Sequence, residues 1–191
     1  MGHYYRPLVL EMPAGGAFWH FSLAVYRREG VEEACLGLQD DVGLDVNLLL
    51  FCLWTGSRGQ SLEAGTLAGL TASTGLWQAE VVAPLRRVRR WLKTQATIDG
   101  PAAEALRQAI KSSELEAEAL EHQLLESQLS SPVKEPSPEA AAANLLAYLV
   151  AKSITIDDRI KQHFIKLLSS SFENIPEEKI NALLEQDNSG S

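Results

Sequence analysis

FWHFSLAVYRREGVEEACLGLQDDVGLDVNLLLFCLW, residues 18–54, decides the fold of this chain. Phe18, Phe21, Ser22, Val25 and Tyr26 recur at helical spacing, and Arg27, Arg28 and Glu29 make a polar exit. Gly30 suits the left-handed position that closes a helix. Val31, Ala34, Cys35 and Leu38 follow at i, i+3, i+4 and i+7, so a second amphipathic helix is expected, ended by Gly43. Asp45 is placed to cap a third helix, because its carboxylate can accept from the free amides of the first turn. That third helix, Val46 to about Trp54, is apolar on nearly every side and belongs at the centre of a bundle.

Outward from this stretch the chain stays helical. Thr55 to Gly59 reads as a turn, and residues 61–73 as a short helix. Thr74 is expected to cap a helix that runs through Pro84, kinked there, to about Gln95. Its apolar line is Trp77, Val81, Leu85, Val88 and Leu92, with Trp91 beside it. Asp99-Gly100-Pro101 is a strong helix start. The helix to Leu129 carries Leu106, Ile110, Ala117, Leu120 and Leu124 as its expected buried seam. SSPVKEPSP, residues 130–138, reads as a linker, since its prolines and serines sustain neither periodic structure. Three shorter helices are expected beyond it, Glu139–Lys152, Asp157–Ser171 and Pro176–Gln186. Residues 1–16 read as an irregular arm and residues 187–191 as a frayed tail. No alternating segment is long enough for a strand. The expected fold is all-α, a compact bundle over residues 17–129 with a three-helix extension over 139–186.

The chain of 191 residues is 46% hydrophobic and 22% charged, with a formal charge of −8, which permits a sizeable core. Acidity argues against DNA and bulk nucleic-acid binding. The charge is uneven: residues 74–95 hold five basic residues and one acid, and residues 99–130 hold two basic residues and seven acids. The longest apolar run, Val46 to Trp54, is far below the ~20 residues that span a bilayer. The N-terminus shows no signal-peptide pattern. Cys35 and Cys52 sit in apolar runs and read as buried, inert thiols in a reducing cytoplasm. A soluble cytosolic protein without membrane contact is expected.

The blocks FW-x-FSLAVY, GVEEACLGLQD, DVNLLLFCLW, VVAPLRRVRRWLK and ELEAEALEHQLLE, in this order, resemble an uncharacterised proteobacterial family, a domain of unknown function, over roughly residues 17–130. The resemblance implies a bacterial cytosolic protein. It carries no activity, ligand or catalytic residue onto the chain.

Two polar features are candidate sites. The first is the hinge Gln39, Asp40, Asp41, Asp45 and Asn47. Three acids within six residues can ligate magnesium, as in prenyl-diphosphate enzymes, with Glu114, Glu118 and Glu121 as the required second set. The favoured reading is plainer: two solvated acids, a capping Asp45, and Asn47 bonded to backbone inside the core. The second is the basic stripe Arg86, Arg87, Arg89, Arg90 and Lys93. With Trp91 it offers a grip on RNA or the ribosome, or on an acidic partner. The favoured reading pairs it internally with the following helix, which carries Glu114, Glu116, Glu118, Glu121 and Glu126, leaving some arginine surplus. A di-metal site at Glu114, Glu118, Glu121 and His122 is disfavoured, because Ala119 stands where the Glu-x-x-His unit needs glutamate; these acids read as a solvated face. His20 reads as a core-edge residue. No phosphate loop, dinucleotide fingerprint or nucleophile elbow is present, and no cofactor is expected. The leading expectation is a non-catalytic interaction, adaptor or regulatory protein with a protein partner. A magnesium-dependent enzyme using Asp40, Asp41 and Asp45, and RNA contact through Arg86 to Arg90, are the alternatives.

Overall fold

The structure, a computed structural model, describes residues 16–95, 97–129 and 133–185. The expected N-terminal arm, the start of the Pro/Ser linker and the tail 187–191 lie outside the described residues. Helices follow one another along the chain: α1 (Ala17–Tyr26), α2 (Val31–Val42), α3 (Val46–Ser57), α4 (Ala64–Trp77), a π-helical turn (Gln78–Val82), α5 (Ala83–Thr94), α6 (Pro101–Ser127), α7 (Pro138–Ala151), α8 (Asp158–Ser171) and α9 (Glu177–Glu185). The architecture is an all-α compact bundle, without strands among the described residues.

The helix apolar on all sides is the axis of the bundle. Every residue of α3 from Asn47 to Gly56 is buried. Helix α7 packs along it, and α1, α2, α6 and α8 supply the remaining cover. Asp45 caps α3 as expected, its Oδ1 accepting from the Asn47 amide at 2.8 Å. Gly43, at φ 76°, closes α2 in the left-handed region and turns the chain into α3. Gly30, expected to end the first helix, instead precedes the second, because α1 stops at Tyr26.

The helices after residue 138 are found within about a residue of their expected bounds, and they complete the central core. Leu145, Leu149, Phe164, Leu168 and Ile180 share one cluster with Phe18, Leu38, Leu49 and Phe51. Polar side chains of α7 fix both ends of α3. The Tyr148 hydroxyl accepts from the Asp45 amide at 2.9 Å. Asn144, fully buried, donates to Thr55 Oγ1 at 2.8 Å and to the carbonyls of Cys52 and Gln60 at 3.3 and 3.0 Å. Its own Oδ1 accepts from Leu62 N at 2.7 Å. At Gly56 the helices touch backbone to backbone: a Cβ there would lie 2.6 Å from Ala141 Cα and N.

Two expectations fail on the side of α4 to α6. The helices expected over 61–73 and 74–95 form one run interrupted by the π turn. Thr74 is therefore no cap; it is buried, and its hydroxyl donates to the Leu70 carbonyl at 2.9 Å. Pro84 supplies no amide and crowds the carbonyl four residues back, and the ladder widens by one residue just upstream, with Ala83 N donating to Gln78 O. The second failure is the α6 seam. Of the expected seam Ala117 is buried, but Leu106, Leu120 and Leu124 are 51%, 53% and 42% exposed, and Glu114, Glu121, His122 and Leu125 are buried instead. Periodicity finds an apolar stripe without telling whether anything covers it; α6 turns its polar side toward the polar start of α3 and the arginines of α5.

Glycine at 56 permits the α3–α7 contact, so Gly56→Ala should drive a methyl group into backbone that cannot yield. The expected cost is about 1–3 kcal/mol, a fall in melting temperature of roughly 3–10 °C by circular dichroism. An unchanged melting temperature would refute the close approach.

Candidate functional site

The two sequence features meet in one place. Arg86 projects from α5 and is held on three sides. Its Nε donates to Glu114 Oε1 at 3.0 Å, its Nη2 to Glu118 Oε1 at 2.9 Å, and its Nη1 to Gln39 Oε1 at 3.1 Å. Arg89, one turn on, donates through Nε to Glu114 Oε2 at 2.5 Å. The spacings make this possible: 86 and 89 share a face of α5, and 114, 118 and 121 share a face of α6. Burial alone would raise the Glu114 carboxyl, but hydrogen bonds from Arg89 and Arg86 hold it below the usual range. The internal pairing expected of the arginines is thus present for Arg86 and Arg89. Arg87, Arg90 and Lys93 are exposed, and among the described residues no carboxylate stands within ion-pair distance of them.

The hinge divides. Asp40 and Asp41 are exposed; Asp40 accepts from Gln39 Nε2 at 3.1 Å, and Asp41 pairs with Arg159 of α8 at 3.0 Å. Asp45 and Asn47 turn inward. Asn47 Nδ2 donates not to backbone, as expected, but to Glu121 Oε2 at 2.8 Å, and Gln78 Nε2 donates to the same oxygen at 2.7 Å. The three acids Asp40, Asp41 and Asp45 are therefore not brought to one point. Among the described residues no three His, Cys, Asp or Glu side chains are grouped to hold a metal ion.

Glu121 is 1% exposed, and its second oxygen, Oε1, is buried without a hydrogen-bond partner; so is Asp45 Oδ2. A proton on either carboxyl would satisfy both oxygens at once, since the two side chains are hydrogen-bonding neighbours. Burial first, and the Asp45 charge next, push Glu121 up to about 9, so that Glu121 carries this proton at neutral pH. Burial also raises Asp45, opposed by its amide hydrogen bonds and by Arg86. Glutamates expected on a solvated face are thus the polar interior of the molecule.

His122 is buried beside them, its ring stacked on Phe18 at 4.4 Å with Trp19 edge-on. Its Nδ1 must donate to the Glu118 carbonyl at 2.8 Å, which leaves Nε2 to accept from the Ser22 hydroxyl at 3.2 Å. Desolvation lowers its pKa, so the ring is neutral. His20, expected at the core edge, is exposed, with Nδ1 3.0 Å from the Gly16 carbonyl. Cys35 and Cys52 are buried free thiols as expected; burial pushes Cys35 up to about 12 and Cys52 upward as well.

A cavity of about 330 Å³ opens against this cluster, its lining including Asp45, Asn47, Arg86 and Glu118 together with Trp19, Leu23, Tyr26 and Leu50. A second, of about 210 Å³, lies against the same Gln39, Asp45, Gln78 and Arg86 and extends to Tyr148. The sequence reading missed Gln78, and it named Glu121 and His122 as candidates only for metal sites or a solvated face, not as buried members of one network with Asp45 and Asn47. The available signal was the match of an i, i+3 arginine pair to an i, i+4, i+7 glutamate set on adjacent helices.

The fold and site define a helical-bundle protein with a buried carboxylate–guanidinium network beside a cleft. The chain belongs to the family of proteins of unknown function DUF2390, whose profile matches residues 17–125. No curated protein and no solved structure matches the chain. No described helix is long and apolar enough to cross a membrane.

The shared proton has a sign. Folding keeps a proton on Glu121 that the unfolded chain, with an ordinary carboxyl near 4.5, releases, so stability falls as pH rises from about 4.5 to 9. Glu121→Gln puts a permanent donor opposite Asp45 Oδ2. Its melting temperature should exceed that of the parent by a margin that widens from pH 5 to pH 9, reaching about 2–4 °C or more. A constant margin, or a loss that grows with pH, would refute the shared proton.

Proposed function

We propose that this is a non-catalytic interaction protein of the bacterial cytosol, an adaptor or small regulator, and that its contact element is the helical hairpin of α5 and the first half of α6. One observation carries the reading. The twelve residues Ala83–Thr94 include no buried residue, nor do residues 101–113, yet the hairpin bears large apolar side chains. Val88, Trp91 and Leu106 are 44%, 53% and 51% exposed. Val88 and Trp91 stand one turn apart on α5, with Arg87 beside them. Residues 83–113 hold seven Lys or Arg against two Asp or Glu in a chain of −8, and with Arg86 and Arg89 paired to Glu114 and Glu118 the open basic surface on α5 is Arg87, Arg90 and Lys93. A basic arm with an open apolar stripe on an acidic body fits an acidic, amphipathic helix of a partner protein. Exposed valine and leucine favour a protein over RNA, for which stacking aromatics are the usual platform. No observation favours the magnesium–diphosphate alternative, because Asp41 is paired outward with Arg159 while Asp45 points in.

Affinity capture on the full chain followed by mass spectrometry tests this reading. Trp91→Ala and the double change Arg87→Glu, Arg90→Glu should each weaken recovery of an acidic partner by tenfold or more, on the order expected of interface anchors. The melting temperature should stay within about 2 °C, as for exposed substitutions generally. Capture unaffected by both variants would reject the arm, and salt-sensitive recovery of RNA in place of protein would favour the nucleic-acid alternative.

A further inference from the structure

The larger cavity is not used by an arm that binds through Val88 and Trp91, since neither residue lines it. Much of its lining is apolar: Trp19, Leu23 and Tyr26 of α1, Leu36 of α2, Leu50 of α3 and Leu115 of α6. A recess of about 330 Å³ with such walls suits the apolar body of a small molecule, on the order of ten non-hydrogen atoms.

The polar groups on the same lining decide the head of that molecule. Its carboxylates are committed. Glu114 accepts from Arg86 and Arg89, Glu118 accepts from Arg86, and Asp45 caps α3 with one oxygen while the other is occluded. Its donors are not. Arg89 spends Nε and Nη2 on Glu114 and leaves Nη1 without an acceptor among the described residues, on a side chain 30% exposed. Arg90, the next residue of α5, is exposed and makes no hydrogen bond or ion pair among the described residues. Trp19 is 7% exposed, yet its indole N–H has no acceptor among them, and neither has the Tyr26 hydroxyl. Burial and the Glu32 charge push Tyr26 up to about 12, so that hydroxyl keeps its proton. Four donors without acceptors thus border one apolar recess, and a ligand that completes them brings acceptors. Because Glu118 and Asp45 also border the recess, an anionic head belongs at Arg89 and Arg90, where Arg87 and Lys93 of the same helix add positive potential. A single negative charge matches the one lining guanidinium that has no partner, whereas a dianion would set a surplus charge against Glu118 and Asp45.

We propose that the recess binds a small amphipathic carboxylate, its apolar body against Trp19, Leu23 and Leu50 and its head accepting from Arg90 and from Arg89 Nη1. The planar guanidinium fork matches the two oxygens of a carboxylate, and the charge strengthens each bond. Since α5 supplies the head contacts and α1 and α3 the body contacts, an occupant ties the arm to the bundle. The site does not depend on the outer surface of the arm.

Three probes of one shape and different heads test this on the full chain: 3-phenylpropanoate, 3-phenylpropanol and 3-phenylpropylamine. Thermal unfolding at neutral pH should show a saturable rise with the carboxylate, about 3–6 °C at roughly tenfold excess over its Kd. The alcohol should bind about fivefold more weakly, as expected for loss of a solvent-exposed charge pair, and the amine more weakly still. Arg90 is exposed and outside the network, so its variants should fold with melting temperatures within about 2 °C of the parent. Arg90→Gln should bring the carboxylate down to the level of the alcohol, Arg90→Lys should keep most of the preference, and Arg90→Glu should favour the amine. Leu23→Trp should fill the recess and abolish the response to every probe; Leu36→Trp, at a residue 36% exposed, does the same from a second position if the first variant does not fold. No saturable shift from the carboxylate at millimolar concentration, an amine or alcohol that binds as well as the carboxylate, a preference unchanged in Arg90→Gln, or full binding in the folded filling variants would each overturn the proposal.

Discussion

A helix with no polar side has to be covered on every side, and the rest of this molecule is arranged to meet that demand on α3. Fully burying a leucine or phenylalanine contributes roughly 1.5–3 kcal/mol, and α3 buries Leu48, Leu49, Leu50, Phe51 and Leu53 together. Helices α1 and α2 cannot enclose it alone. Helix α7 lies along the open flank, close enough at Gly56 to exclude a methyl group, and Asn144 and Tyr148 satisfy polar groups at the two ends of α3. The segment beyond the Pro/Ser stretch is thus part of what makes the core closed.

Only the first turn of α3 escapes apolar cover, and the polar network grows from there. Asp45 caps the helix with one oxygen and leaves the other buried; Asn47, buried two residues on, reaches Glu121. Helix α6 answers with glutamates, and those glutamates draw Arg86 and Arg89 from α5. A buried network of this kind contributes little net stability, since desolvation offsets most of the attraction. It does specify geometry, because each unpaired member would cost more than the pair returns. The same choice turns Leu106, Leu120 and Leu124 outward, which ties the interior network to the exposed apolar surface of the arm.

Much of this was legible in the sequence. The all-round apolar run gave away the centre, Asp45 its cap, and Gly43 and the Asp99-Gly100-Pro101 start gave helix ends that hold to within a residue or so. The α6 face was misread because a leucine stripe and a glutamate stripe on one helix are both periodic, and periodicity does not say which faces in. The leucines win only if the neighbouring surface is apolar, and here it is the polar start of α3. The π turn at Gln78–Val82 was not legible, since spacing shows that Pro84 disturbs the helix but not that the ladder widens upstream of it. The two candidate sites looked separate because they lie some forty residues apart in the chain; Gln39 and Arg86 meet only through folding.

The account rests on a single closed core that includes α7 to α9, with the α5–α6 hairpin standing outside it. Native-state hydrogen exchange across a denaturant series measures this directly, because it separates global from local opening. Amides of α3, α7 and α8 should merge into one transition at the free energy of global unfolding, while those of Leu92–Thr94 and of the first turns of α6 exchange through a much smaller opening. Exchange of α7 to α9 as a unit independent of α3, or an arm as protected as the core, would contradict it.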